Sequence, residues 1–272
     1  MMKRLVLSLV FLLMHIHCAA MDTHKPFVFI IASYNNELWC ERNLESVFSQ
    51  DYDNYRVIYT DDCSTDSTLK LVETYVAENN QENRVRIMHN AKRMGHLHNQ
   101  YEAIHACKDN EIIIILDGDD WLAHKNVLAY LNEIYSNPEV WLTYGQFKEL
   151  SDNSEGYCKP FPREIIESHA YRTYRPWVFG HTRAFYAGLF KRIKQQDLQY
   201  NGAYFPMAAD VATMFPMAEM AGHRVLFIPK VLYVHNDLNP LNLKKVWQMQ
   251  AFYENVIRRR PKYHELSIYS QH

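Results

Sequence analysis

The chain has 272 residues, 48% of them hydrophobic and 22% charged, enough for one generous core or a core with a small appendage. A formal net charge of -2 lacks the Lys and Arg excess of a nucleic-acid binder, so polyanion binding is set aside. With 14% aromatic residues and 8 glycines, the composition speaks for a packed interior and against low-complexity or disordered stretches.

Residues 1–20 differ from the rest. Lys3 and Arg4 precede an apolar run from Leu5 to Met14, and Cys18-Ala19-Ala20 supplies the small residues of a cleavage site. This reads as a secretory signal peptide for export. The run is too short to cross a hydrocarbon layer about 30 Å thick as a helix. A short N-terminal anchor giving membrane association, or a cytoplasmic protein translated from Met21, are the alternatives. Past residue 20 stand Cys40, Cys63, Cys107 and Cys158, an even number compatible with disulfides but without C-x-x-C spacing. No N-x-S/T sequon occurs.

Phe27 to Ala32 is a short apolar, β-prone run followed by polar Ser33-Tyr34-Asn35 and a helical stretch from about Glu41 to Gln50. Tyr55 to Thr60 reads as a second strand, running into Asp61-Asp62. Asp66 or Ser67 can cap the helix that carries Leu69, Val72 and Val76. Val85 to Met88 is a third strand, and Tyr101, Ile104 and His105 recur at helical spacing behind it. Ile112 to Leu116 is apolar throughout, the pattern of a strand buried on both faces, and leads directly into Asp117-Gly118-Asp119-Asp120. This alternation predicts an α/β fold with a Rossmann-like, mostly parallel central sheet flanked by helices. Beyond Gly145 the pattern loosens into a less regular C-terminal region. A helix is expected near Ala209 to Ala221, strands near Val225 and Val231, and a closing helix from Lys244 to Arg260, ahead of Pro261.

The clusters Ser33-Tyr34-Asn35, Asp61-Asp62 and Asp117 to Asp120 each follow the carboxyl end of an expected parallel strand. Open α/β sheets bind ligands along that edge, so the topology gathers these segments into one crevice. Neither G-x-G-x-x-G nor G-x-x-x-x-G-K-[ST] is present, so a phosphate would need another neutraliser. Carboxylates crowded at Asp117, Asp119 and Asp120 repel one another unless a cation or protons intervene. A divalent metal, Mg²⁺ or Mn²⁺, meets that need and also binds phosphate oxygens. A solvated Asp-rich turn capping a helix is the alternative.

Together and in this order, these segments, with the Asn90 to Asn99 stretch containing Arg93 and Gly95, resemble the family 2 glycosyltransferases of GT-A fold. The resemblance covers roughly Phe27 to His235. It implies an enzyme that moves a sugar from a nucleotide diphosphate-sugar, such as a UDP-sugar, to an acceptor hydroxyl with inversion. It implies base contacts for Tyr34 and Asp62, and ribose and metal contacts for Asp117, Asp119 and Asp120. Ser33, Asn35, Arg93 and Gly118 belong to the nucleotide-sugar set, and Arg93 could pair with the diphosphate. His235 lies where some such enzymes place a further metal or phosphate ligand.

The resemblance also implies a catalytic base at Asp210, ahead of a helix; a helix-capping carboxylate is the alternative. The sequence departs from the pattern with Ala32 where Pro is frequent, Cys63 where Gly is usual and Ala209 where a Glu is expected. No Q-x-x-R-W motif follows, which favours addition of a single sugar. Trp177, His181 and Arg183 are candidates for an acceptor wall, with core packing as the alternative. The acceptor, whether carbohydrate, lipid-linked or protein, is open. Under this reading 21–272 is a single domain, with a nucleotide-sugar half to about 145, an acceptor half to about 243 and a C-terminal helix. A binding protein that kept the fold and lost the base is the competing reading, carried by Ala209.

Overall fold

The computed structural model describes residues 24–241 and 247–267. The expected signal peptide lies outside them, and among the described residues no helix is long and apolar enough to cross a membrane.

Apolar runs set the sheet. β1 (Phe27–Ser33) and β4 (Ile112–Asp117) are buried along almost their whole length, as continuous apolar strands covered on both faces must be. β1 pairs in parallel with β2 (Tyr55–Asp61) and with β4, and β2 pairs in parallel with β3 (Val85–His89). The intervening helices are α1 (Cys40–Phe48), α2 (Thr68–Glu78) and α3 (His96–His105), so this half is a run of βαβ units. Register then places the chemistry: Ser33 faces Asp61, and Ala32 faces Asp117, across neighbouring strand ends.

The second half continues the same sheet. β5 (Trp121–Leu122) leads through α4 (Val127–Tyr135) to β6 (Leu142–Glu149). The short helix α5 (Arg163–Glu167) precedes β7 (Arg183–Tyr186), which inserts antiparallel between β4 and β6. After α6 (Ala187–Phe190) and the small hairpin β8 (Gln199–Tyr200) and β9 (Ala203–Tyr204) comes α7 (Ala209–Ala221), as expected. The expected strands near Val225 and Val231 are one strand, β10 (Val225–His235), interrupted by irregularities in its pairing with β6. α8 (Trp247–Arg258) is the closing helix. The sheet order is β3-β2-β1-β4-β7-β6-β10-β5, eight strands and mostly parallel on the β1 side.

The aromatic content goes inside. Tyr135 is fully buried because its hydroxyl finds the Ala184 carbonyl at 2.7 Å, tying α4 to β7. Trp177 packs against Phe179 and Phe215 at centroid distances of 5.2 and 5.5 Å. It is partly buried against these core aromatics and is not among the residues lining the cleft described below. Cys40, Cys63, Cys107 and Cys158 are all free thiols.

Candidate active site

A cleft of about 440 Å³ opens along the carboxyl edge of β1 and β4. Tyr34 and Arg93 line it, Asp117 to Asp120 form part of its wall, and Arg183, Asp210 and His235 face it from the second half of the chain.

The loop after β1 is organised before any ligand arrives. Asn35 takes the left-handed conformation, φ 52°, and its amide grips the next loop: Oδ1 accepts the Thr65 N–H at 2.8 Å. Its backbone N–H donates to Ser64 Oγ at 3.0 Å. Cys63 is also left-handed, φ 63°, a conformation for which glycine is the unstrained residue, so the departure noted at this position falls where the backbone most favours the usual Gly. Ser33 sits beneath Gly118 and accepts a hydrogen bond from Asn36 at 3.0 Å. A Cβ on Gly118 would lie 2.7 Å from Ser33 Cβ, so glycine is what lets the acidic loop rest on β1. Ser33 and Asn35 therefore shape the loops; of the two neighbours, Tyr34 and Asn36 reach the cleft.

Asp62 is buried and accepts from Asn90 Nδ2, Arg93 Nε and the backbone N–H groups of Met94 and Gly95 at 2.8 to 3.0 Å. Burial alone would raise its pKa, but these donors outweigh it and hold the carboxyl down at about 2. With four donors on two oxygens, its capacity is spent on the chain itself. The base contact implied by resemblance is thus left to its neighbourhood: Arg93, anchored by Asp62, lies 3.4 Å over the Tyr34 ring and makes a flat, cationic shelf in the cleft wall.

The acidic loop is buried at Asp120 and partly open at Asp117 and Asp119. Asp120 is 1% exposed; its Oδ2 accepts from the Tyr233 hydroxyl and its Oδ1 from the Asn236 N–H, both at 2.7 Å. Burial, then the charges of Asp119 and Asp117, push the Asp120 carboxyl well above the ordinary range, against those two hydrogen bonds. Burial and the charge of Asp117 also raise Asp119, offset by Asn239, which donates to its Oδ2 at 2.7 Å. His181 lies flat on Tyr233, centroids 4.2 Å apart. Burial and the neighbouring Arg183 cation hold this imidazole far below its usual pKa, hence neutral.

Asp117, Asp120 and His181 each offer an atom within 4.8 Å of the others, and Asp117 Oδ1 is buried without a hydrogen-bond partner. Two carboxylates, an orphaned oxygen and a neutral imidazole fit a divalent cation. The grouping differs from the expected Asp119, Asp120 and His235. Asp119 is hydrogen-bonded to Asn239, and His235 binds Glu149 through Nδ1 at 2.7 Å, both still lining the cleft.

Asp210 lies in the first turn of α7, half-buried, with Oδ1 near its neighbour's N–H, Val211, at 2.9 Å. Its Oδ2 is 3.9 Å from Nη1 of Arg183, which is buried. Burial works against the Arg183 charge, and Asp210 and Asp117 more than compensate. Sequence reasoning missed Tyr233, Asn236, Asn239 and His96, the last 3.5 Å from Asp117 Oδ1. None stands in a recognisable pattern; only the fold brings β10 and α3 against the acidic loop.

A mostly parallel sheet with carboxylates massed at its ligand-binding edge defines the class, a glycosyltransferase of GT-A fold. The chain belongs to glycosyl transferase family 2, whose profile matches residues 28–194. It is 25% identical over 219 residues to glycosyltransferase GlyG of Streptococcus pneumoniae, covering 76% of this chain and 69% of the relative. It is 30% identical over 126 residues to the putative colanic acid biosynthesis glycosyl transferase WcaA of Escherichia coli, covering 43% of this chain and 44% of the relative. Among solved structures it resembles S. aureus TarS 1-349 in complex with UDP-GlcNAc, with a TM-score of 0.57 and 20% identity. That match covers 78% of this chain and 58% of TarS 1-349. It also resembles mannosyltransferase PcManGT of Pyrobaculum calidifontis in complex with GDP-Man and Mn²⁺, TM-score 0.59 and 22% identity, covering 86% and 63%. At these identities the structural likeness speaks to the fold.

Proposed function

We propose that the chain transfers a single sugar from a UDP-sugar, or a similar nucleotide diphosphate-sugar, to an acceptor hydroxyl with inversion. The observation that carries this reading is the convergence of Asp117, Asp119 and Asp120, at and just after the end of β4, with Asp210 from α7 around one cleft, His181 standing beside Asp117 and Asp120. Relatives with UDP-GlcNAc, and with GDP-Man and Mn²⁺, in their structures support a nucleotide-sugar donor.

In this reading Tyr34 and Arg93 take the base between a π face and a guanidinium plane. Asp117, Asp120 and His181, with Asp119 and His235 beside them, hold the cation, Mn²⁺ or Mg²⁺. When bound, that ion neutralises the diphosphate and makes it a better leaving group. Asp210 lines the same cleft and takes the proton of the acceptor hydroxyl as its oxygen attacks the anomeric carbon and the diphosphate leaves. General-base assistance of this kind supplies about 10² to 10⁴-fold in rate. The nucleotide-sugar half then ends near residue 145, and α7, β10 and α8 form the acceptor side of a single domain.

The test is a donor screen in the presence of Mn²⁺ that follows UDP or GDP release. Release from one donor above the no-enzyme rate supports the transferase. If every common donor is bound but none is turned over, the fold serves only for binding.

A further inference from the structure

Arg183 is a buried cation with unused donors. It stands at the start of β7, is 9% exposed, and lines the cleft between Asp117 and Asp210. Its Nε is buried with no hydrogen-bond partner among the described residues. Nη1 meets Asp210 Oδ2 at 3.9 Å, too long for a hydrogen bond. Nη2 lies 2.9 and 3.2 Å from the two ring nitrogens of His181; a neutral imidazole has one acceptor, the same lone pair that a cation would take, so Nη2 loses this partner when the cation is bound. A guanidinium carries five N–H donors, and few of them find an acceptor in these contacts, although the residue lines the cleft. Asp210 and Asp117 balance its charge without taking up its N–H groups, and buried donors without acceptors are costly, so the fork is suited to the oxygens of an anion in the cleft.

The position says which anion. The other arginine of the cleft wall, Arg93, donates Nε to Asp62 and lies over the Tyr34 face. Arg183 touches His181, whose ring shares a 4.8 Å cluster with Asp117 and Asp120. An anion bound to a cation held by that trio would lie beside the guanidinium, whose fork matches phosphate oxygens.

We propose that Arg183 binds the donor diphosphate directly, as a fixed protein cation working beside the metal, and is a donor residue and not part of an acceptor wall. This rests on the proposed function. It predicts that the nucleotide keeps part of its affinity after chelation, and that this remainder depends on Arg183.

The experiment is a calorimetric titration of the full chain with UDP and with uridine, each with Mn²⁺ and with EDTA. It is run on the wild type, Arg183→Gln and Arg183→Lys. The expected result is a loss of about tenfold or more in UDP affinity for Arg183→Gln in both buffers. Uridine, which has no phosphate, should bind the variant as it binds the wild type, which also shows that the cleft is folded. Arg183→Lys should recover part of the UDP affinity through its charge without the fork. UDP affinity within twofold of wild type in Arg183→Gln overturns the assignment and leaves the transferase reading standing. A parallel fall for uridine overturns it too, since the effect would then lie in the shape of the cleft. A wild type that binds no UDP overturns the proposed function, and this assignment with it.

Discussion

The Tyr233 hydroxyl donates to Asp120 Oδ2 at 2.7 Å and accepts the backbone N–H of Asp117 at 3.1 Å, so one phenol pins both ends of the acidic loop. Because Tyr233 is fully buried and its ring carries His181, the same residue sets two carboxylates and an imidazole relative to one another. Groups that orient metal ligands in this way typically matter about 10 to 100-fold for metal affinity. Tyr233→Phe keeps the ring and removes the hydroxyl. Mn²⁺ affinity, followed by isothermal titration, is expected to fall by that factor; an unchanged value would mean the loop holds its shape without the phenol.

Asp62 carries a pH dependence of known sign. Its folded pKa of about 2 lies below the ordinary 3.8, so the folded chain binds this proton less tightly than the unfolded one. The associated stability is fully present above pH 3.8 and is lost as pH falls towards 2. At neutral pH it amounts to about 2 kcal/mol, from about 1.4 kcal/mol per pKa unit. Asp62→Asn is expected to lower stability by roughly that much at pH 7 and by much less at pH 2, measured by urea unfolding. The acid limb of the stability curve should flatten in the variant.

Gly118→Ala places a methyl carbon 2.7 Å from both Ser33 Cβ and Oγ and 2.8 Å from Asn36 Nδ2. Neither neighbour is the far end of a long flexible chain, and β1 cannot retreat from β2 and β4. The loop must lift, at a cost of about 1 to 3 kcal/mol. Chemical denaturation should show that loss, and UDP affinity should drop with it because Asp117 and Asp119 flank the displaced residue.

Asp210→Asn preserves size and the contact to Val211 while removing the proton acceptor. The expected outcome is a fall of about 10² to 10⁴-fold in turnover, with UDP affinity unchanged. Turnover equal to wild type would exclude Asp210 as the base, and a matching loss of UDP affinity would move it into the donor site.

Much of this was legible in the sequence because continuous apolar runs and strand-end carboxylates are local signals. Ile112 to Leu116 could be nothing but an interior strand, and the helix over Ala209 to Ala221 falls where expected. β7 was not legible. Its four residues, Arg183 to Tyr186, are all buried, but they are too few to show a period, and an arginine opens them. Its antiparallel insertion beside β4 is what carries His181 and Arg183 to the acidic loop. Asn236 and Asn239 were equally silent: an asparagine after a strand reads as a turn residue, and its bond to Asp120 or Asp119 is made across more than a hundred residues of chain. For Trp177 the sequence left acceptor wall and core packing open, and its ring packs against Phe179 and Phe215.

The account turns on a cation shared between the acidic loop and the nucleotide, and calorimetry of UDP binding to the wild type and to Asp120→Asn, with Mn²⁺ and with EDTA, addresses it most directly. The wild type should lose at least about tenfold in affinity on chelation, and Asp120→Asn should bind equally weakly in both buffers. A wild-type affinity that ignores EDTA and equals that of Asp120→Asn would contradict the account.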